Sequence, residues 1–349
     1  METDPDQLPN IGENDDNTEF FEHHRILVDP GQSLLRIDVF LTNRIQNISR
    51  NKVQEAVKAN CVLVNNAPVK QNYKVKPRDL ITVVLPHEPV VAEVIPQEIP
   101  LNIVYEDDDV LVVDKAAGMV VHPAYGNYEG TLLNALAFHF KGKPNQEYHE
   151  TGAYLVHRID KDTSGLLVVT KNETAQTILA RDFFHHNIER KYHALVWGDV
   201  KEKSGTIEQR IGRSQSDRRQ MTVYDDPLKG KMAITHFEVL ERFGYVTLVE
   251  CRLETGRTHQ IRAHMKFLGH PLFNDGMYGG NKILKGTTHS KYKSFIENCF
   301  EIILRQALHA KTLGFEHPVL KKPLFFSSDY PEDFRLVLEK WRRFISGRI

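Results

Sequence analysis

Short strand-prone runs, more than any helical pattern, limit what this chain can fold into. Val110-Leu111-Val112-Val113 and Leu166-Leu167-Val168-Val169 are continuous apolar runs, too short for a buried helix and rich in valine. Tyr192 to Val196, Ile234 to Leu240 and Tyr245 to Leu253 add three more segments of this kind, and the last two lie close enough in sequence to pair antiparallel. Helical patterns are fewer among them. One covers Thr174 to Phe184; another follows Thr258, a candidate N-cap, and runs to Leu268 before Gly269 and Pro271 stop it. Strands with few helices between them do not supply the crossovers of a doubly wound sheet. A mixed, mainly antiparallel α+β sheet is the expected architecture.

Upstream, the composition changes twice. Residues 1–24 carry eight acidic side chains and no Lys or Arg, and too few apolar residues for a core, so a disordered acidic tail is expected. Residues 25–86 carry ten basic residues against four acidic ones, a net of six positive charges hidden in a chain with 45 basic and 46 acidic residues. Leu34 to Leu41 suits an amphipathic helix, Ser49 can cap a second, and Val62-Leu63-Val64, an Asn65-Asn66 turn and Ile81 to Leu85 suit a small sheet. A small α/β module is expected there. Residues 87–101, with their prolines, suit an extended linker, and residues 102–349 a larger second domain.

Several function classes fall away. No apolar run approaches the roughly 20 residues that cross a bilayer, and the acidic N-terminus is the opposite of a secretory signal. Cys61, Cys251 and Cys299 form no close pair, which argues against a disulfide framework or a cysteine zinc site and fits a reducing cytoplasm. The adjacent histidines His23-His24 and His185-His186 lack the spacing of a metal site, because neighbouring side chains diverge.

Three polar segments are left as candidates for chemistry. His157 to Gly165 (HRIDKDTSG) lies between apolar runs, where Asp, Ser, Thr and Gly ordinarily make turns but where functional groups also gather. On the helix after Thr258, His259, Arg262 and Lys266 form a polar stripe opposite Ile261, Met265 and Leu268; such a stripe is a solvated face or a fixed positive charge for a carboxylate or phosphate. Glu189-Arg190-Lys191-Tyr192 opens a strand, and a tyrosine there is ordinarily half-buried packing. None of the three names an activity alone.

Together, in this order, they resemble one family. HRIDKDTSG, RKYHALVWG and TGRTHQIRAHMKFLGHPLFND, with VYEDDDVLVVDKAAGMVVHPAYGN before and ALHAKTLGFEHP after, resemble the RluA-type, large-subunit-rRNA branch of the pseudouridine synthases over residues 102–335. Residues 34–85 resemble the alpha-L RNA-binding motif of a small-subunit ribosomal protein, and the local positive charge agrees with it. The resemblance implies an isomerase that breaks the C1′–N1 bond of a uridine, turns the uracil and rejoins it through C5, with no cofactor and no metal. Asp160 matches the catalytic aspartate, acting as nucleophile at C1′ or as base at C2′. Arg262 matches its salt-bridge partner, which would keep a carboxylate ionised in a dry pocket. Tyr192 matches the tyrosine that packs on uracil, and Arg158 a residue that fills the place of the flipped base. Ile159 stands where the branch often has Leu. The implied partner is RNA, large-subunit rRNA ahead of tRNA, for a cytoplasmic protein, monomeric ahead of any oligomer.

Two other readings compete. A silent RNA-binding factor would have lost Asp160 or Tyr192, and both are present. A hydrolase using Asp160 with Asp162 is the other, and an assay that separates release of free uracil from isomerisation distinguishes it.

Overall fold

The structure, a computed structural model, describes residues 21–45, 48–85, 94–123, 127–142, 152–217, 219–287 and 289–347. They form two compact units divided between Glu93 and Val94.

In the first unit the strands are β1 (Phe21–Leu27), β2 (Leu35–Arg36), β3 (Val62–Val64), β4 (Ala67–Pro68), β5 (Lys74–Val75) and β6 (Leu80–Leu85), and the helices α1 (Ile37–Arg44) and α2 (Arg50–Lys58). The order β1-β6-β3-β4 makes one small antiparallel sheet, and β2 pairs with β5. Residues 21–24, placed by composition in the acidic tail, instead open β1, where Phe21 and Glu22 pair with Leu85 and Val84 of β6; residues 1–20 lie outside the described residues. The first helix starts three residues later than its apolar pattern suggests, because Leu35 and Arg36 are taken by pairing with Val75 and Lys74. Ser49 caps α2 as expected, its Oγ accepting from Lys52 N. Fully buried Asp38 ties the helices together by accepting from Arg36, Arg50 and Gln54, and these bonds overcome burial to hold its pKa well below the usual carboxylate range. Lys58, Lys70, Lys74, Lys76 and Arg78 remain exposed.

The second unit is built on one large sheet. Its strands are β7 (Asn102–Glu106), β8 (Val110–Lys115), β9 (Tyr154–Leu155), β10 (Ser164–Thr170), β11 (Glu189–Trp197), β12 (Ser204–Arg213), β13 (Met221–Tyr224), β14 (Lys231–Arg242), β15 (Val246–Leu253), β16 (Leu308–Glu316) and β17 (Pro323–Ser327). Helices α3 (Leu132–Phe140), α4 (Glu173–Phe184), α5 (Gln260–Phe267), α6 (Ser290–Ile302) and α7 (Glu332–Ile345) flank it. The path runs β13-β12-β14-β15-β11-β16-β10-β8-β7, with β9 on β10 and β17 on β16. Among the described strands every pair in this sheet is antiparallel except β10 with β16, so the α+β class holds.

Alternation along β11 sends Tyr192, Ala194 and Val196 into one core with Ile159, Ile261 and Met265, and Leu195 and Trp197 into another with α6 and α7. The expected linker is shorter than its composition suggests. Residues 86–93 are outside the described set, but Val94 and Leu101 pack against the first of these cores. Asn134 Nδ2 also donates to Ile95 O at 2.9 Å, so residues 94–101 belong to the second unit.

Candidate active site

Asp160 sits on the loop between β9 and β10, and the loop is held from several sides. Ile159 anchors it in the core. Thr163 N closes a turn onto Asp160 O at 3.1 Å. From the end of β8, buried Lys115 donates to Lys161 O at 3.0 Å and to Ala116 O and Met119 O; burial draws its pKa down to about 7, while three carbonyl oxygens receive its ammonium protons. From the approach to β16, Arg305 donates to Asp162 O at 3.0 Å and Ser164 Oγ at 3.3 Å, and its guanidinium is fixed in turn by Asp333. The loop ends at Gly165 because only glycine fits: φ is +111°, and a Cβ there would lie 2.2 Å from Ala310 O. That close approach is the parallel contact of β10 with β16.

Helix α5 brings up the opposing charge. Its first turn departs from the expected cap: Thr258 caps nothing, and His259 precedes the helix in the left-handed region, with φ 52°. Buried Gln260 locks this turn, its Oε1 accepting from Arg257 N and Thr255 Oγ1 and its Nε2 donating to Ile234 O and Thr235 Oγ1. Gly269, with φ 83°, ends the helix as expected. The polar stripe is not a solvated face at its centre, for Arg262 is buried. Arg262 Nη1 donates to Asp160 Oδ2 at 3.2 Å, while Nε and Nη2 grip Asp275 at 2.7 and 2.9 Å. Its guanidinium also lies 4.8 Å from the centre of the Tyr278 ring.

Tyr278 carries the arrangement on to His259. Its hydroxyl accepts from Met221 N at 2.9 Å and stands 3.0 Å from His259 Nδ1. A buried hydroxyl proton needs an acceptor, so Nδ1 takes it and Nε2 carries the ring proton, pointing toward Asp160 Oδ2 at 3.9 Å.

One cleft gathers all four residues singled out from the sequence. Asp160, Arg158, Tyr192 and Arg262 line it together with Arg190, Gly256, His259 and Leu308. Asp160 is 22% exposed, open to a ligand on one side and held by Arg262 on the other. Tyr192 is buried on β11, and burial raises its pKa, keeping the phenol protonated at neutral pH. Arg158 is exposed at the rim. Asp162 does not line the cleft, which weighs against the paired-carboxylate reading. A carboxylate backed by a fixed cation, beside a buried aromatic ring, can attack or deprotonate a sugar carbon under a stacked base.

A larger hollow of about 710 Å³ involves Glu189, Lys191, Glu238, Glu250, Arg252 and Glu254 but not Asp160. Four carboxylates against two cations make it a poor seat for a polyanion. One group of possible metal ligands occurs among the described residues, Asp107, Asp109 and His317. His317 is spent on the turn: Nδ1 accepts from Leu320 N at 2.9 Å and Nε2 donates to Asp107 Oδ2 at 2.8 Å, so the ring has no lone pair for an ion.

Residues that sequence reasoning missed are Asp275, Tyr278, Arg305 and Lys115, and Arg190 stood in a candidate segment without a role of its own. A signal existed for one of them. A buried guanidinium has five N–H donors, more than one cleft carboxylate accepts, so it calls for a second acceptor, and Asp275 closes the segment ending HPLFND.

Comparison with known proteins places two families along the chain. Residues 109–267 match the RNA pseudouridylate synthase family and residues 35–81 the S4 domain. A Chlorobaculum parvum protein named as an uncharacterized RNA pseudouridine synthase is 48% identical, over 89% of this chain and 95% of its own. The ribosomal large subunit pseudouridine synthase D of Zymomonas mobilis is 41% identical over 87% of this chain and 93% of its own. Among solved structures, human RNA pseudouridylate synthase domain containing 1 superposes with a TM-score of 0.50 at 26% identity, covering 75% of this chain and 98% of that one.

Proposed function

The chain belongs to the RNA pseudouridine synthase family, and from that premise we propose that its substrate is large-subunit ribosomal RNA, with Asp160 as the reacting carboxylate. The isomerisation breaks and remakes bonds within one nucleotide, so it calls for no electron carrier and no phosphate donor. Asp160 acts in its ionised form, at C1′ as nucleophile or at C2′ as base. Arg262 positions it through the Nη1 contact, Tyr192 packs on the uracil, and Arg158 at the rim contacts the RNA once the target base has left its stack. The observation that carries the reading is the 3.2 Å contact of Arg262 with Asp160 inside a cleft shared with Tyr192.

Support for the ribosomal substrate comes from relatives named as large-subunit synthases and from the S4 domain with its exposed lysines. The enzyme would work in the cytoplasm, and its three cysteines are free and buried. Mapping pseudouridines in a strain lacking the protein tests this. Sites in large-subunit rRNA should disappear and return with the wild-type gene, but not with Asp160→Asn. Loss confined to tRNA would move the substrate; restoration by Asp160→Asn would remove the proposed chemistry.

A further inference from the structure

Four cationic side chains line the cleft, and three are accounted for. Arg158 is exposed at the rim. Arg257, also exposed, donates to Met232 O. Arg262 is neutralised by Asp275 and Asp160. Arg190 is different. It is only 7% exposed, yet among the described residues no carboxylate pairs with it, its Nε has no partner, and the one hydrogen bond of its side chain is a long 3.5 Å contact with Glu254 O. Its guanidinium lies 5.1 Å from the centre of the Phe183 ring, and burial lowers its pKa. Keeping a buried cation without a fixed counter-charge is costly, and here the open side of that cation is the cleft. Gly256 leaves the space for it, since a Cβ at that position would come within 3.1 Å of Arg190 Nη1.

The reaction supplies the missing anion. When the C1′–N1 bond breaks, its electron pair leaves with uracil, and the charge spreads over N1, O2 and O4. Rejoining through C5 returns the pair to C1′; C5 then loses its proton and N1 gains one, so the product is an isomer. Negative charge on the base is therefore greatest between the two bonds. The geometry points to Arg190 as a further catalytic residue, contacting the detached uracil and stabilising its negative charge. A preorganised donor aimed at developing charge in a water-poor site is commonly worth about 100-fold or more in rate. The inference rests on the reading that Asp160 and Tyr192 face the target nucleotide.

The test is leaving-group dependence. Single-turnover rates of loss of the starting nucleotide are measured on the transcript that wild type modifies, sampled from large-subunit rRNA and then tRNA, made once with uridine and once with 5-fluorouridine; the fluorinated base has no C5 proton to lose, so breakage of C1′–N1 is read rather than formation of the final product. Fluorine stabilises the uracil anion intrinsically, so that substrate needs Arg190 less. Arg190→Gln should lose about 100-fold on uridine RNA and less than about tenfold on the fluorinated RNA, with RNA affinity nearly unchanged and Arg190→Lys recovering much of the rate. Gly256→Ala, which crowds the guanidinium by a few tenths of an ångström, should show a smaller loss, still greater on uridine RNA than on fluorinated RNA, if Arg190→Gln does not fold. Equal losses on the two substrates, or a loss below about threefold on uridine RNA, would overturn the assignment. Asp160→Asn runs alongside: turnover by that variant would mean that the reading of the cleft has failed rather than the role of Arg190.

Discussion

Arg262 gives two nitrogens to Asp275 and a third to Asp160, so the proposed reacting carboxylate shares its cation with a second, fully buried one. Asp275 fixes the plane of the guanidinium, and this fixed plane carries Nη1 to Asp160. The pair is a positioning device as much as a charge balance.

Removing Asp275 should therefore harm both stability and catalysis. Asp275→Ala leaves a buried arginine without its bidentate partner and should cost about 3–5 kcal/mol of folding free energy. Arg262→Lys should keep the charge but lose the fork, lowering kcat more than it raises KM. Denaturant unfolding and steady-state kinetics read the two effects separately. An Asp275→Ala protein with wild-type stability would show that this ion pair is not structural.

Gly165 should tolerate no side chain. A Cβ would lie 2.2 Å from Ala310 O at a φ of +111°, with backbone rather than a flexible side chain in the way. Gly165→Ala should lose roughly 3 kcal/mol or more, by the size of effects that follow from strained backbone. A midpoint of urea unfolding equal to that of wild type would contradict the β10–β16 register.

The first unit should act as an electrostatic anchor. In the full-length protein, replacing Lys58, Lys70, Lys74, Lys76 and Arg78 by Ala should weaken RNA binding and flatten its salt dependence, the log–log slope falling by roughly 0.7–0.9 for each phosphate no longer neutralised. The cleft is untouched, so the single-turnover rate at saturating enzyme should hold. An unchanged slope would place the RNA elsewhere.

Acid should loosen the fold before most carboxylates titrate. Burial pushes His157 and His309 down to about 3 and His264 to about 4, from an ordinary value of 6.5. Their folded pKa values are depressed, so they stay neutral in the native state. Their contribution to stability is complete well above pH 6.5 and is lost as pH falls toward about 4 for His264 and about 3 for His157 and His309. Each should add about 1.4 kcal/mol per pH unit to the slope in that window. His309 matters most for the site, because its two ring nitrogens lie 3.0 and 2.8 Å from Ser164 Oγ and Ser328 Oγ. Urea unfolding at pH 7.5, 6 and 5 measures the slope, and His309→Gln should reduce it. Flat stability across that range would mean that these histidines accept protons without penalty.

Sequence alone determined the elements whose causes are local. Valine-rich runs became β8 and β10, Ser49 capped α2, and Gly269 ended α5, because propensity, capping and backbone freedom act within a few residues. Local pattern also failed in identifiable places. Helix α3 is buried on nearly every side and offers no polar stripe to betray its period. Phe21 to His24 carry little core-like character and become a strand only because β6 offers a free edge. Asp160, Arg158, Tyr192 and Arg262 could be named through the order of their motifs, but nothing local told how they meet. Tertiary structure decided that. Asp160 and Arg262 stand 102 residues apart and are joined by the packing of α5 beside the β9–β10 loop. Asp275, Tyr278, Arg190 and Arg305 acquire their roles only there, because a hydrogen bond or an unpaired buried charge is a property of distance in space, and spacing along the chain does not encode it.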